Sequence, residues 1–177
     1  RSLLDEEIGG LFDAPADSWF DLKKTIHDGD RSIAVHSLDR LSVSYTGAHL
    51  VARLGRQALS WGNGFAFRPL DLFEPFSFND LDLEYKPGTD MVYSQWLFRS
   101  GADLEAVVIP RRALGTGNVE SDLSSAALKM HFPGSTPVDA MLAEDWGDTV
   151  IGLGLSRAVG GAIWRLDATG TFVTQGR

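Results

Sequence analysis

The sequence predicts an all-β protein: an antiparallel up-and-down transmembrane β-barrel, partial as given, of about eight strands. Three observations carry this reading. Between Leu38 and Thr174, short stretches alternate apolar with polar or small residues, the period-two pattern of a sheet with two unlike faces. The connections alternate between short, near residues 47, 100, 135 and 159, and long, at Gly62 to Thr89 and Arg111 to Ser121; barrels of the outer-membrane type pair tight turns with long outer loops in this way. Tyr45, Trp61, Phe98, Trp146 and Trp164 fall at or near strand ends, where aromatic girdles meet a membrane interface.

Along the chain, residues 1–37 form a lead-in segment and residues 38–177 the barrel segment, which includes the outer loop 62–89. In the lead-in, His27-Asp28-Gly29-Asp30 reads as a turn, and Ile33 and Val35 suggest a strand. The first clear hairpin surrounds Gly47-Ala48. Leu41, Val43 and Tyr45 alternate with Ser42 and Ser44, and Leu50, Ala52 and Leu54 alternate with Val51 and Arg53. A two-residue loop at Gly47-Ala48 pairs Tyr45 with Leu50, Val43 with Ala52, Leu41 with Leu54 and Ser42 with Arg53, and sets Asp39 against Arg56. On that register Arg56 falls on the apolar parity near a rim, as an anchor.

The alternation repeats three times. Met91 to Phe98 and Leu104 to Ile109 flank Arg99-Ser100-Gly101-Ala102-Asp103, with Val92, Trp96 and Phe98 matching Leu104, Ala106 and Val108. Leu123 to His131 and Val138 to Asp145 flank Pro133-Gly134-Ser135-Thr136-Pro137; both are too mixed to assign an outer face. In the last pair Ile151, Leu153 and Leu155, with Trp164, Leu166 and Ala168, make one apolar side. Trp146-Gly147-Asp148 breaks the loop rule, since it requires a tight outer loop.

Composition limits the functional classes. A net charge of −8 argues against a nucleic-acid partner, because phosphate binding needs clustered Lys and Arg. The chain has no cysteine, which excludes disulfides and thiolate metal sites, and its four histidines are far apart, which argues against any metal centre. Mean hydropathy is −0.07. That value, with no uninterrupted apolar run of roughly 18 to 20 residues, excludes helical spans and is uninformative about a barrel, whose strands need only every second residue apolar. No leader pattern opens the chain, so an export signal is expected to be removed or upstream, and the terminal Val173-Thr174-Gln175-Gly176-Arg177 lacks the closing aromatic of a complete barrel.

The run Arg53-Leu54-Gly55-Arg56-Gln57-Ala58-Leu59-Ser60-Trp61-Gly62-Asn63-Gly64, followed by Arg68-Pro69-Leu70-Asp71-Leu72-Phe73-Glu74-Pro75-Phe76, resembles a signature of poorly characterised porin-like bacterial outer-membrane barrel proteins related to alginate-export-type barrels. The resemblance is good from about Leu38 to Arg112 and looser to about Arg165. Glu74-Pro75 stands where Asn-Pro is usual in that family. The resemblance implies location and architecture rather than chemistry: an outer-membrane site, lipid as surroundings, and a small polar solute or ion as cargo.

Read this way, the expected function is porin-like passage or binding of small polar solutes, without a cofactor, metal or catalytic group. Arg53, Gln57, Arg165 and Asp167 are expected to face the lumen. The loop 62–89 holds Phe65, Phe67, Phe73, Phe76 and Phe78, too aromatic for a solvated loop, so it either lies over a soluble core or folds inward. Folded inward, it makes Arg68, Asp71 and Glu74 part of a constriction. Gly62-Asn63-Gly64 is read as turn geometry. Two alternatives remain: a soluble antiparallel β-sandwich or lipocalin-like ligand-binding domain, which gives the same alternation, and an outer-membrane barrel hydrolase, for which His131 with Ser125, or His49, are the weak candidates.

Overall fold

In the computed structural model the described residues are 18–20, 22–29, 32–62, 68–73, 88–113, 117–121 and 123–174. Among them there are ten strands and no helix: β1 (Lys23–Gly29), β2 (Ser32–Ser37), β3 (Leu41–Thr46), β4 (Leu50–Gln57), β5 (Thr89–Leu97), β6 (Asp103–Ile109), β7 (Ser125–Phe132), β8 (Val138–Asp145), β9 (Asp148–Val159) and β10 (Ala162–Phe172). The strands β3 to β10 form one antiparallel sheet in chain order, and β1 with β2 form a separate two-stranded sheet. The eight-stranded sheet is not closed, as β3 and β10 are its two edges.

The lead-in differs from its sequence reading. His27, Asp28 and Gly29 lie in β1, paired with Ala34, Ile33 and Ser32, so these three residues of the expected turn extend a strand instead, and Asp30 lies outside the described residues. Local turn propensity at Asp28-Gly29 is overridden by the ladder to β2.

The first hairpin has slipped relative to the expected register. Tyr45 pairs with Ala52, Val43 with Leu54, Leu41 with Arg56 and Ser44 with Arg53. The reversal is at Ala48-His49, closed by a 2.8 Å bond from Gly47 N to Leu50 O. The Tyr45 side chain lies over Gly47, its hydroxyl 3.0 Å and its nearest ring carbon 3.3 Å from where a Cβ would stand. A shift of two in the pairing leaves every residue on its original face, so the parity argument survives the wrong partners.

The other turns follow from their residues. Gly101, with φ 84°, closes the three-residue loop between Phe98 and Ala102. The tight loop after β8 is real, with Trp146 at φ 53° and Gly147 at φ 79°, a reversal that Gly147 makes easy and Trp146 makes costly.

Cross-strand partners share a face, and the ladders therefore divide the sheet cleanly. One face carries Val43, Tyr45, Leu54, Val92, Trp96, Val108, Leu128, Leu142, Ile151, Leu153, Leu155, Trp164 and Leu166, all exposed. This assigns the outer parity of β7 and β8 that the sequence left open. The charged residues of this bare face lie toward its ends: Arg56, Asp90 and Glu144 toward the long connections, Arg157 toward the short turns. Exposed Tyr45, Trp96, Phe98, Phe132 and Trp164 border the short-turn end, and Trp146 and Phe172 the other.

The opposite face holds the core. Met91, Tyr93, Val107, Ile109, Ala127, Met141, Ala143 and Val150 are buried there beneath Trp61, Leu70 and Phe73 from the long connection. So among the described residues the long connection covers an apolar patch of the mixed face, and the uniformly apolar face is left exposed.

Candidate functional site

The covered face is graded. Toward the long connections it carries an apolar patch, with Met91, Ile109, Val107, Ala127, Ala143 and Val150. Two residues further along each strand, one row runs Gln95, Glu105, Lys129, Met141, Gly152 and Thr169. The next row runs Leu97, Asp103, His131, Asp139, Gly154 and Asp167. Polar groups on this face line its short-turn end and recur at its long-connection end, at Gln57 and the Ser125–Asp145 pair, and the described part of the long connection sits on the apolar patch between them.

Where the two zones meet, Glu105 accepts three donors. Trp61 Nε1 reaches its Oε2 at 2.7 Å and Tyr93 OH the same oxygen at 2.8 Å, while Lys129 Nζ lies 2.8 Å from Oε1. Lys129 Nζ also stands 5.5 Å from the centre of the Trp61 ring, and the Arg53 guanidinium 5.0 Å from that of Tyr93. A buried carboxylate is costly to desolvate unless its lone pairs are filled. Here both oxygens are engaged, and the pairing with Lys129 balances the charge.

The loop itself is tightly fitted. Leu70 is fully buried, and its Cδ2 lies 2.4 Å from where a Cβ on Gly152 would be, so the missing side chain in β9 is the socket for Leu70. Trp61 meets Phe73 edge-on at 5.7 Å between ring centres. Asp71 is buried and accepts the Ser60 hydroxyl at 2.9 Å. Gly62 is a close approach rather than a turn, since a Cβ there would stand 2.4 Å from Arg68 Cβ. Asn63, Gly64 and Glu74 lie outside the described residues.

The sequence-derived lumen residues all lie on the covered face by parity, but not together. Arg53 and Gln57 are on β4; Arg165 and Asp167 are on β10, six strands away across the sheet. Gln57 is buried and its Nε2 has no hydrogen-bond partner among the described residues. Arg165 is exposed at the sheet edge and Asp167 half-buried. Of the constriction residues, Arg68 lies along Gly62 and Asp71 faces into the loop.

Two sequence expectations are corrected. Trp61 is not at an interface girdle but is buried on the covered face, because its N–H finds Glu105 there. Arg56 pairs with Asp90 rather than Asp39: Nε donates to Oδ1 at 2.8 Å and Nη2 to Oδ2 at 2.9 Å, both side chains being 2% exposed. The same pair grips the lead-in, as Arg56 Nη2 donates to Phe20 O at 2.7 Å and Phe20 N donates to Asp90 Oδ2 at 2.7 Å. Arg56 is on the bare-face parity near the long connections, and the backbone of Phe20 and Leu38, with Gly88 close to its Cγ, covers it.

The catalytic candidates are not assembled with one another. His131 Nδ1 is 2.8 Å from Asp139 Oδ1. Ser125 stands six residues back along β7, roughly 20 Å at the usual strand rise, where it is bonded to Arg111 and Asp145. The sequence missed Glu105, Tyr93 and Lys129 as a group; the signal was a lone charge at Glu105 between apolar Leu104 and Ala106, which marks a partnered inward group. Comparison with protein-family models, curated proteins and solved structures gives no match for this chain.

Proposed function

We propose that this protein is a porin-like barrel of the bacterial outer membrane that mediates passage or binding of small polar solutes. The observation that carries the reading is the exposed face of the sheet: among the described residues its band of large apolar side chains is left uncovered, while the long connection packs on the opposite face, where an apolar patch gives way to polar and small residues. A soluble sandwich gains stability by covering its apolar face. Lipid is the solvent in which the opposite arrangement is favourable.

Two further features support it. From Thr149 to Arg157, β9 rises roughly 27 Å at about 3.4 Å per residue, and a tilt of about 40° leaves a band about 20 Å tall, near that of known barrels. The exposed aromatics border the band at both ends, as interface girdles do. On the covered face, the row containing Asp103, His131, Asp139 and Asp167 suits a polar or cationic solute better than an anion.

Fractionation of the cell envelope after expression of the full-length gene tests the reading. Recovery in the outer-membrane fraction, released by detergent only, is expected. Recovery in the soluble fraction without detergent overturns it in favour of a soluble sandwich. Swelling of proteoliposomes in small sugars then tests passage itself.

A further inference from the structure

We propose that Glu105 is the latch that seats the described part of the long connection, Trp61 and Arg68 to Phe73, on the wall of the sheet, and so sets the free cross-section beside it. The effect on passage rests on the porin-like reading; the latch itself does not.

The residues point to a latch rather than to passive packing. Three donors from three elements converge on one carboxylate, and one of them, the Trp61 indole N–H at 2.7 Å, belongs to the loop. The other two, Tyr93 OH and Lys129 Nζ at 2.8 Å each, belong to β5 and β7 and hold the carboxylate in place. The Lys129 ammonium also faces the indole ring at 5.5 Å, so the ring is held by its edge and by its face. Apolar contacts alone allow a loop to slide, whereas hydrogen bonds to an ionised acceptor fix a direction as well as a distance. With Trp61 oriented, Leu70 falls into the socket at Gly152.

The absence of cysteine allows a direct test. Leu70→Cys places a single thiol at a fully buried position, and its reaction with a soluble maleimide reports how often the loop lifts. In the folded protein, slow labelling is expected. Adding Glu105→Gln, which keeps an acceptor oxygen but removes its charge, and so the counter-ion of Lys129, should speed it about tenfold, as the gap between charged and neutral hydrogen bonds implies, and the same variant should admit larger sugars into proteoliposomes. Trp61→Phe, which keeps the Glu105–Lys129 pair, carries the same test if Glu105→Gln fails to fold. Labelling rates within about twofold of the parent in the folded variants overturn the latch. Faster labelling in a protein that passes no solute leaves the latch standing and sinks the porin-like reading. Sugar passage with unchanged labelling does the reverse.

Discussion

At the scale of single residues, the Arg56–Asp90 pair is the point where a wrong partner would cost most. Both side chains are almost fully removed from solvent, and each also bonds the Phe20 backbone. Arg56→Met leaves Asp90 charged and buried, so unfolding in urea should show a loss of about 3–5 kcal/mol, with much of it recovered when Asp90→Leu is added. A loss below about 1 kcal/mol would mean that water already reaches the pair. Gly152 gives a second test. Gly152→Ala forces Leu70 Cδ2, 2.4 Å away, and Met141 Cε, 3.0 Å away, to move. We expect a destabilisation of about 1–3 kcal/mol from overpacking, and Leu70→Ala in the same chain should relieve part of it as a non-additive term in a double-mutant cycle. Additive effects would show that Leu70 does not occupy the socket. The partner of Arg56 was not legible in the sequence, because it lies across the long connection and depends on a register that no local pattern sets.

The strands are the scale at which the sequence was most legible. All eight strands of the large sheet stand close to where the alternation put them, and the first hairpin slipped by two without any side chain changing face. A strand's faces are a local property, whereas the partner of each residue depends on where the turn closes. Here it closes at Ala48-His49, one residue beyond Gly47-Ala48. The bare face makes a strand-scale prediction. In lipid, Leu153→Arg near the middle of the β9 band should cost about 2–4 kcal/mol, whereas Thr149→Arg at its end should cost about 0–1 kcal/mol. The measurement is reversible unfolding from bilayers. Equal costs at the two positions would argue that this face does not sit in hydrocarbon.

For the whole molecule, the defining feature is an open eight-stranded sheet with a bare apolar face. Among the described residues β3 pairs only with β4 and β10 only with β9. Unpaired backbone groups are not tolerated in hydrocarbon, so the membrane reading requires both edges to be covered in the native barrel. Amide exchange of the natively inserted protein measures this. Protection in β3 and β10 comparable to that in β6 and β7 is expected; fast exchange confined to the two edge strands would count against lipid as the surroundings. The same open edges leave Arg165 and Asp167 six strands from Arg53 and Gln57, so these residues share a face without forming one site.

By itself the sequence determined the eight strands of the large sheet, the two faces of all of them but β7 and β8, and the inequality of the connections, because alternation, glycine turns and loop length are written residue by residue. Only the tertiary structure decided which face the long connection covers, that Trp61 is buried against Glu105, and that Arg56 belongs to Asp90. Those outcomes depend on groups far apart in the chain meeting in one place, where a buried carboxylate must fill its lone pairs and a missing Cβ leaves room for Leu70. Periodicity places a side chain on a face; what then lies against it is set by long-range contact.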